Sequence, residues 1–173
     1  MGLRSVLNSV VETPWVLRVR RNHGLEHASI HVLTEKNARR SIAGHSDANG
    51  FWLFGKLSTD EVEQAVGEAL ARLRGGERHL AVHPGCGTNL VTAGGLAGLA
   101  GAVAMRGADR RSWAERLPLA VLFSTAALVL ARPLGTRIQQ RVTTTGDPGG
   151  LVVLSIRAGQ RASIPGHRVE TRS

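Results

Sequence analysis

Five consecutive residues, His23-Gly24-Leu25-Glu26-His27, carry the side chains best suited to do chemistry in this chain. In a helix, His23 and His27 are about one turn apart and lie on the same face, where their imidazoles could bind one metal ion. Glu26 lies at the edge of that face, where its carboxylate could take a proton from a water molecule that the ion activates. The pattern therefore predicts a metal-dependent hydrolase or lyase with Glu26 as the general base.

A catalytic zinc site needs a third protein ligand and one open coordination position. We favour Cys86, which lies in a Gly-Cys-Gly turn just before a predicted helix, because the positive end of the helix dipole stabilises a thiolate. The predicted metal ligands are therefore His23, His27 and Cys86, and the preferred ion is zinc, with iron as the alternative. Other side chains that could supply the third ligand are His83, Glu77, His79, His45 and His31.

Two interpretations without a metal ion stay open for the same residues. In the first, the two motif histidines are ordinary hydrogen-bonded side chains, and Glu26 forms an ion pair with a nearby arginine such as Arg21. In the second, Cys86 is a nucleophile and His83 is its base, which requires the two side chains to lie close together.

The motif lies on a predicted amphipathic helix that runs from about residue 22 to residue 36. Leu25, Ala28 and Val32 fall on the side opposite the motif histidines, so the helix has an apolar back and a histidine-rich front. Residues 15–19, which precede it, alternate loosely and indicate a strand or an interfacial segment.

Turn and capping signals after the motif predict the elements of a small domain. The Asn49-Gly50 pair favours a hairpin between two strands. Ser58 and Glu61 form a capping box for a helix that ends at Gly75-Gly76. Further strands are predicted at residues 79–83, 141–145 and 151–157.

Two later stretches, residues 90–105 and 117–131, contain no charged side chain. With their flanking residues, each approaches the ~20 residues that a helix needs to cross a bilayer. We therefore predict a transmembrane helical hairpin, and a buried hairpin of a soluble protein is the alternative. Gly94 and Gly98 form a G-x-x-x-G step, which predicts a homo-oligomer through this helix.

These elements predict an α+β fold: a small antiparallel sheet with helices, interrupted by the hydrophobic hairpin. The predicted divisions are residues 1–87 with the motif helix, 88–135 with the hairpin, 136–159 with strands that complete the sheet, and 160–173 as a flexible tail. The single cysteine cannot form an intrachain disulfide, and we see no signal peptide. We therefore expect an integral protein of the cell inner membrane whose folded domain lies in the cytoplasm.

The chain is basic, with a formal net charge of +9. Such a charge indicates a polyanionic partner, either nucleic acid or anionic lipid. The arginines are scattered rather than gathered in one run, and no nucleic-acid-binding motif is present. The composition therefore favours the lipid bilayer as partner and argues against nucleic acid.

Three segments together resemble an uncharacterised bacterial membrane-protein family: RNHGLEHASIHVL, NGFWLFG and LAVHPGCGTNLVTAG. The likeness covers most of residues 18–105. The family has no assigned activity, so the resemblance implies a membrane protein and leaves the reaction open.

Two motifs alone are also similar to those of known enzymes. H-x-x-E-H followed by a Gly-Cys-x-Thr turn resembles S-ribosylhomocysteine lyase, which implies His23, His27 and Cys86 as metal ligands and Glu26 as base. The lyase uses a second cysteine that this chain lacks, so the likeness implies a shared metal-site geometry rather than a shared substrate. The pitrilysin-type peptidases share H-x-x-E-H and take a downstream glutamate as third ligand, for which Glu77 is the nearest candidate.

The leading hypothesis is a membrane-anchored metal-binding protein that hydrolyses a peptide or another amide. The first alternative is a non-catalytic integral membrane protein with a structural metal site or a scaffolding role. The second is a basic peripheral protein that binds anionic lipid or nucleic acid and no metal.

Overall fold

The computed structural model describes residues 2, 5, 9–37, 39–109 and 112–173. The chain forms two compact units. The first combines residues up to 83 with residues 140–173, and the second consists of residues 84–139.

The motif helix of the first unit, α1, spans Pro14–Lys36. Proline is favoured at the first position of a helix, where no hydrogen-bonded amide is required, and Pro14 begins this one. The predicted strand at residues 15–19 is therefore wrong, because the helix continues through them, and the alternative of an interfacial segment stays a prediction. Leu25, Ala28 and Val32 are fully buried, as their spacing predicts.

A four-stranded antiparallel sheet packs in the same unit. Its strands are β1 (Ala43–Asp47), β2 (Gly50–Phe54), β3 (Val152–Arg161) and β4 (Ile164–Arg172), in the order β1-β2-β4-β3. The hairpin predicted from Asn49-Gly50 is the β1–β2 pair. Strand β1 lies at one edge of the sheet, and strand β3 lies at the other.

Helix α2, Thr59–Arg74, closes the core of this unit. Its predicted capping box is present, since Ser58 accepts from the backbone N–H of Glu61 and the Glu61 carboxylate accepts from that of Ser58. The core brings together buried apolar side chains of α1, α2 and the inner face of the sheet, among them Leu25, Leu33, Phe51, Leu53, Val62, Val66 and Val169. Antiparallel strands and helices in one core make this an α+β fold, as the sequence predicts.

The C-terminal residues differ from the flexible tail that the sequence suggests. Residues 164–172 are β4, which pairs with both β2 and β3, and Val169 is fully buried. Its inward neighbours are His167 and Thr171, which are polar, so the apolar alternation that usually reveals a strand is weak here.

Two other predicted strands are helical turns. Arg78–Ala81 is a single 3₁₀ turn, and Gln139–Thr143 is a π-helical turn at the end of a long helix. Segments of about five residues are too short for periodicity to distinguish strand from turn, and tertiary contacts decide between the two.

The second unit is a hairpin of two apolar helices, α3 (Gly87–Ala104) and α4 (Trp113–Ile138). Both are long and apolar enough to cross a membrane. Large side chains such as Leu90 and Leu122 are exposed by 76% and 61%, whereas the core helix of a soluble protein buries such residues. The helices contact each other closely, and the Ser124 hydroxyl donates to the Ala97 carbonyl at 3.0 Å.

Candidate metal centre

The two motif histidines lie side by side on α1. The ring centroids of His23 and His27 are 4.3 Å apart, and the rings meet edge to face. His27 is almost fully buried, whereas His23 is partly exposed. The i,i+4 spacing thus produces the shared face that the sequence predicts.

Backbone carbonyls fix the orientation of both rings. The Nδ1 of His23 donates to the Thr143 carbonyl at 3.0 Å, and the Nδ1 of His27 donates to the Ala81 carbonyl at 2.8 Å. A carbonyl oxygen can only accept, so each bond selects the tautomer whose proton is on Nδ1 and whose lone pair is on Nε2. Metal-binding histidines commonly have such a second partner. The donor set therefore fits a divalent ion.

Two more histidines extend this cluster. The ring of His83 lies 5.7 Å from that of His27 and 5.1 Å from that of His31. His31 donates from Nε2 to the Val82 carbonyl at 3.0 Å. Burial, followed by the nearby His27 and His31, lowers the pKa of His83 to about 4, so its ring is neutral at pH 7.

Glu26 is a buried carboxylate on the same helix. Its Oε2 accepts a hydrogen bond from the Ser46 hydroxyl of β1. Burial raises the pKa of Glu26, although the Ser46 hydrogen bond and the nearby His23 oppose the shift. Among the described residues its hydrogen-bond donor is thus Ser46, whereas Arg21, the example that the metal-free interpretation gave of an ion-pair partner, lies against Gly149.

Gly44 of β1 contacts the other oxygen of the same carboxylate. A Cβ atom built on Gly44 would collide with the Oε1 of Glu26. Gly44 is not among the residues with positive φ, so this position requires glycine for space and not for backbone conformation. Strand β1 therefore forms one wall of the Glu26 site, with Gly44 and Ser46 facing the carboxylate.

The alternative ligands from the sequence lie in other settings. The Glu77 carboxylate accepts three hydrogen bonds from the Arg72 guanidinium, at 3.1, 3.1 and 2.9 Å, which lower the pKa of its carboxyl. His79 is exposed at the 3₁₀ turn, and His45 is exposed on β1. Glu77 is thus committed to a surface ion pair, while His83 is the alternative that lies beside His27.

Cys86 belongs to the second unit. Its side chain is buried, and it is the N-cap of α3, where its Sγ accepts from the Thr88 backbone N–H at 3.4 Å. The predicted position before a helix N-terminus is correct. The positive end of the helix dipole favours the thiolate that a metal ion binds.

Several functional groups of this site could not be found from the sequence. The carbonyls of Ala81 and Thr143 are backbone atoms and leave no mark in residue types. Ser46 and Gly44 are ordinary strand residues in the sequence, and only the packing of β1 on α1 brings them to Glu26.

Comparison with known proteins identifies the family of this chain. The family described as Domain of unknown function (DUF6391) matches residues 18–156. An uncharacterized protein of Picosynechococcus sp. is 38% identical in an alignment 174 positions long, and the alignment covers 91% of this chain and 80% of that protein. No solved structure matches the chain. The matched residues include the H-x-x-E-H motif, the β1–β2 hairpin and both apolar helices, and the chain belongs to the DUF6391 family.

Proposed function

We propose that this protein is a membrane-anchored, metal-dependent hydrolase with His23, His27 and Cys86 as metal ligands and Glu26 as general base. The proposed ion is zinc, and the proposed substrate is a peptide or another amide. The observation that carries the proposal is the pair of carbonyl-anchored imidazoles 4.3 Å apart, with a buried carboxylate next to them in sequence.

Chain connectivity supports Cys86 as the third ligand. Only two residues separate Cys86 from His83, so their Cα atoms can be at most about 11 Å apart. The ring of His83 lies 5.7 Å from that of His27. The thiolate-favouring N-cap position and the borderline-soft character of zinc agree with this choice.

Glu26 and Ser46 would have different roles in hydrolysis. A bound zinc ion would polarise the substrate carbonyl and make water more acidic. Glu26 would accept a proton from water, and its raised pKa brings it closer to the pH at which a base works best. As water adds to the carbonyl carbon and the C–N bond breaks, Glu26 would pass that proton to the departing amine. Ser46 would hold the carboxylate in place.

A structural metal site in a non-catalytic membrane protein is the second candidate. Its support is His83, whose ring faces both His27 and His31. If His83 supplied a fourth protein ligand, the coordination sphere would be closed, as in structural zinc sites.

The proposed location is the cell inner membrane, with the first unit in the cytoplasm. The two apolar helices support membrane association. The lipid bilayer is thus the proposed partner, and a homo-oligomer through Gly94 and Gly98 remains a proposal.

Metal content tests the proposed function. Detergent-purified wild type is measured by plasma mass spectrometry beside His27→Ala, Cys86→Ala and the control His45→Ala, which changes an exposed histidine. We expect about one zinc per chain in wild type and the control, and loss of the metal in the other two. Metal-free wild type would overturn the proposal.

Activity then separates the two candidates. Glu26→Gln should keep its metal but hydrolyse a fluorogenic peptide library ~10²–10⁴-fold more slowly than wild type. Full activity in this variant would remove Glu26 from the mechanism. A metal that is bound by wild type and lost from His83→Ala, in a protein that hydrolyses nothing, would favour the structural site.

A further inference from the structure

We propose that the outer edge of β1 binds an extended segment of polypeptide as a fifth strand and so places a main-chain carbonyl beside Glu26. The inference rests on the proposed function, because it names the substrate class of the same site. Two observations support it: some main-chain groups of β1 point away from the sheet, and the residues that carry these groups also contact Glu26.

Strand β1 is an open edge of the sheet. Among the described residues it pairs with β2 alone, and Ala43, Gly44 and His45 are exposed. Natural edges are usually protected by Lys, Pro or a bulge. The strand reads Ala-Gly-His-Ser-Asp, and its register with β2 has no shift. An unprotected edge of this kind can accept another extended chain.

The β1–β2 turn determines which groups face outward. Asp47 and Gly50 pair across a two-residue turn, so their main-chain groups bond to each other. Hydrogen-bonded and outward-facing residues alternate along an antiparallel strand. His45 therefore bonds to β2, whereas Gly44 and Ser46 direct their N–H and C=O groups to the open edge.

The same two residues contact the carboxylate of Glu26. Ser46 donates its hydroxyl to Oε2, and Gly44 lies against Oε1. A chain paired with β1 lies ~4.8 Å from it, so a main-chain carbonyl opposite Gly44 or Ser46 would lie next to the proposed base. The docking groups and the reacting group are therefore adjacent.

The spacing of the outward groups selects a polypeptide over a small amide. Gly44 and Ser46 are two residues apart, ~6.8 Å along the strand, which matches residues i and i+2 of an extended partner. A single amide cannot satisfy both positions. Because recognition relies on main-chain groups beside small side chains, we expect weak dependence on the sequence of the bound peptide.

The test measures peptide binding to the full-length Glu26→Gln protein in detergent with EDTA. The probe is a fluorescein-labelled dodecapeptide of alternating Val and Thr with a lysine at each end, and the comparison probe is the same peptide with every amide N-methylated. We expect the N-methylated probe to bind at least ~10-fold more weakly, because it cannot donate to the edge. Equal affinity of the two probes would overturn the proposal.

A matched pair of variants locates the site on β1. Ser46→Pro removes an outward N–H while leaving the bonds of β1 to β2, and Ser46→Ala removes only the hydroxyl. We expect binding to weaken ~10-fold in Ser46→Pro relative to Ser46→Ala. If the two folded variants bind the peptide with equal affinity, the peptide does not dock on β1.

Hydrogen exchange gives a readout that does not depend on a variant folding. In the Glu26→Gln protein without peptide, the amides of Gly44 and Ser46 should exchange fast. With peptide bound, their exchange rates should fall at least ~10-fold, while the amides of His45 and Asp47 stay protected in both conditions. Unchanged exchange at Gly44 and Ser46 with peptide bound would contradict the proposal.

These outcomes separate this inference from the proposed function. Peptide docking on β1 in a protein that hydrolyses nothing would keep the strand site and reject the hydrolase. If the protein hydrolyses a small acyl anilide but the exchange rates of its β1 amides do not change with the peptide, the proposed hydrolase is supported and the strand site is rejected.

Discussion

At the scale of single residues, the site depends on how tightly Glu26 is enclosed. Its carboxylate is buried between the Ser46 hydroxyl and the backbone of Gly44. A buried carboxylate without partners is costly, so the Ser46 bond offsets part of the desolvation. Gly44 allows the strand to approach closely, and any side chain at this position would have to displace the carboxylate.

The first prediction concerns this close approach. Gly44→Ala should lower the free energy of unfolding by ~1–3 kcal/mol, because its Cβ overlaps Oε1 of Glu26. In a Glu26→Ala background the same change should cost less than half as much, since the overlapping atom is absent. Chemical denaturation of the four proteins in detergent measures the coupling. The control Gly67→Ala lies in open space on α2 and should stabilise by ~0.5–1 kcal/mol. Equal costs in both backgrounds would show that the overlap is not the cause.

At the scale of elements, α1 is hydrogen-bonded to the segment that follows α4. The buried Arg20 guanidinium donates to the carbonyls of Val11, Arg141 and Thr144, at 3.1, 3.3 and 3.1 Å. The neighbouring Thr143 carbonyl accepts from His23. Arg20 thus supports the backbone that orients one of the proposed metal ligands.

The second prediction follows from this arrangement. Arg20→Met should lower the free energy of unfolding by ~2–4 kcal/mol, because it removes the guanidinium that donates to the buried carbonyls of Val11 and Thr144. It should also weaken zinc binding, since the backbone that holds His23 loosens. The control Arg18→Met changes an exposed arginine on the same helix and should stay within ~0.5 kcal/mol. Denaturation and zinc titration of both variants check the two effects, and an Arg20 variant as stable as the control would contradict them.

At the scale of the whole molecule, the chain combines an α+β unit with an apolar helical hairpin. The apolar side chains of α3 and α4 are largely exposed, and a bilayer is the environment in which such exposure is favourable. The open space around Gly94 and Gly98 would allow another helix to approach, and the oligomer remains a prediction.

The third prediction tests membrane insertion with two leucines of similar exposure. Leu122 in α4 is 61% exposed, and Leu154 in β3 is 56% exposed. Leu122→Arg should sharply reduce the protein that remains in membranes after an alkaline carbonate wash, because arginine at a helix centre costs ~2.5–3.5 kcal/mol on insertion. Leu154→Arg should stay at the wild-type level. Equal retention of both variants would show that α4 is not in the bilayer.

The sequence by itself determined the local features of this protein. The i,i+4 spacing places His23 and His27 on one face of α1. The capping box marks the start of α2, and the Asn49-Gly50 pair marks the turn that connects β1 to β2. The apolar stretches specified α3 and α4. Each of these features depends on residues close in sequence, so periodicity and turn chemistry are enough to predict it.

Only the tertiary structure decided what surrounds the motif. The sequence of β4 resembles a polar tail because two of its inward residues, His167 and Thr171, are polar. In the folded protein these side chains form hydrogen bonds with polar partners instead of packing against apolar ones. The carbonyls that hold His23 and His27 come from turns about 120 and 54 residues away, and Ser46 reaches Glu26 through the packing of β1 on α1. Long-range contacts such as these depend on how the elements pack together, and no local pattern of residue types records them.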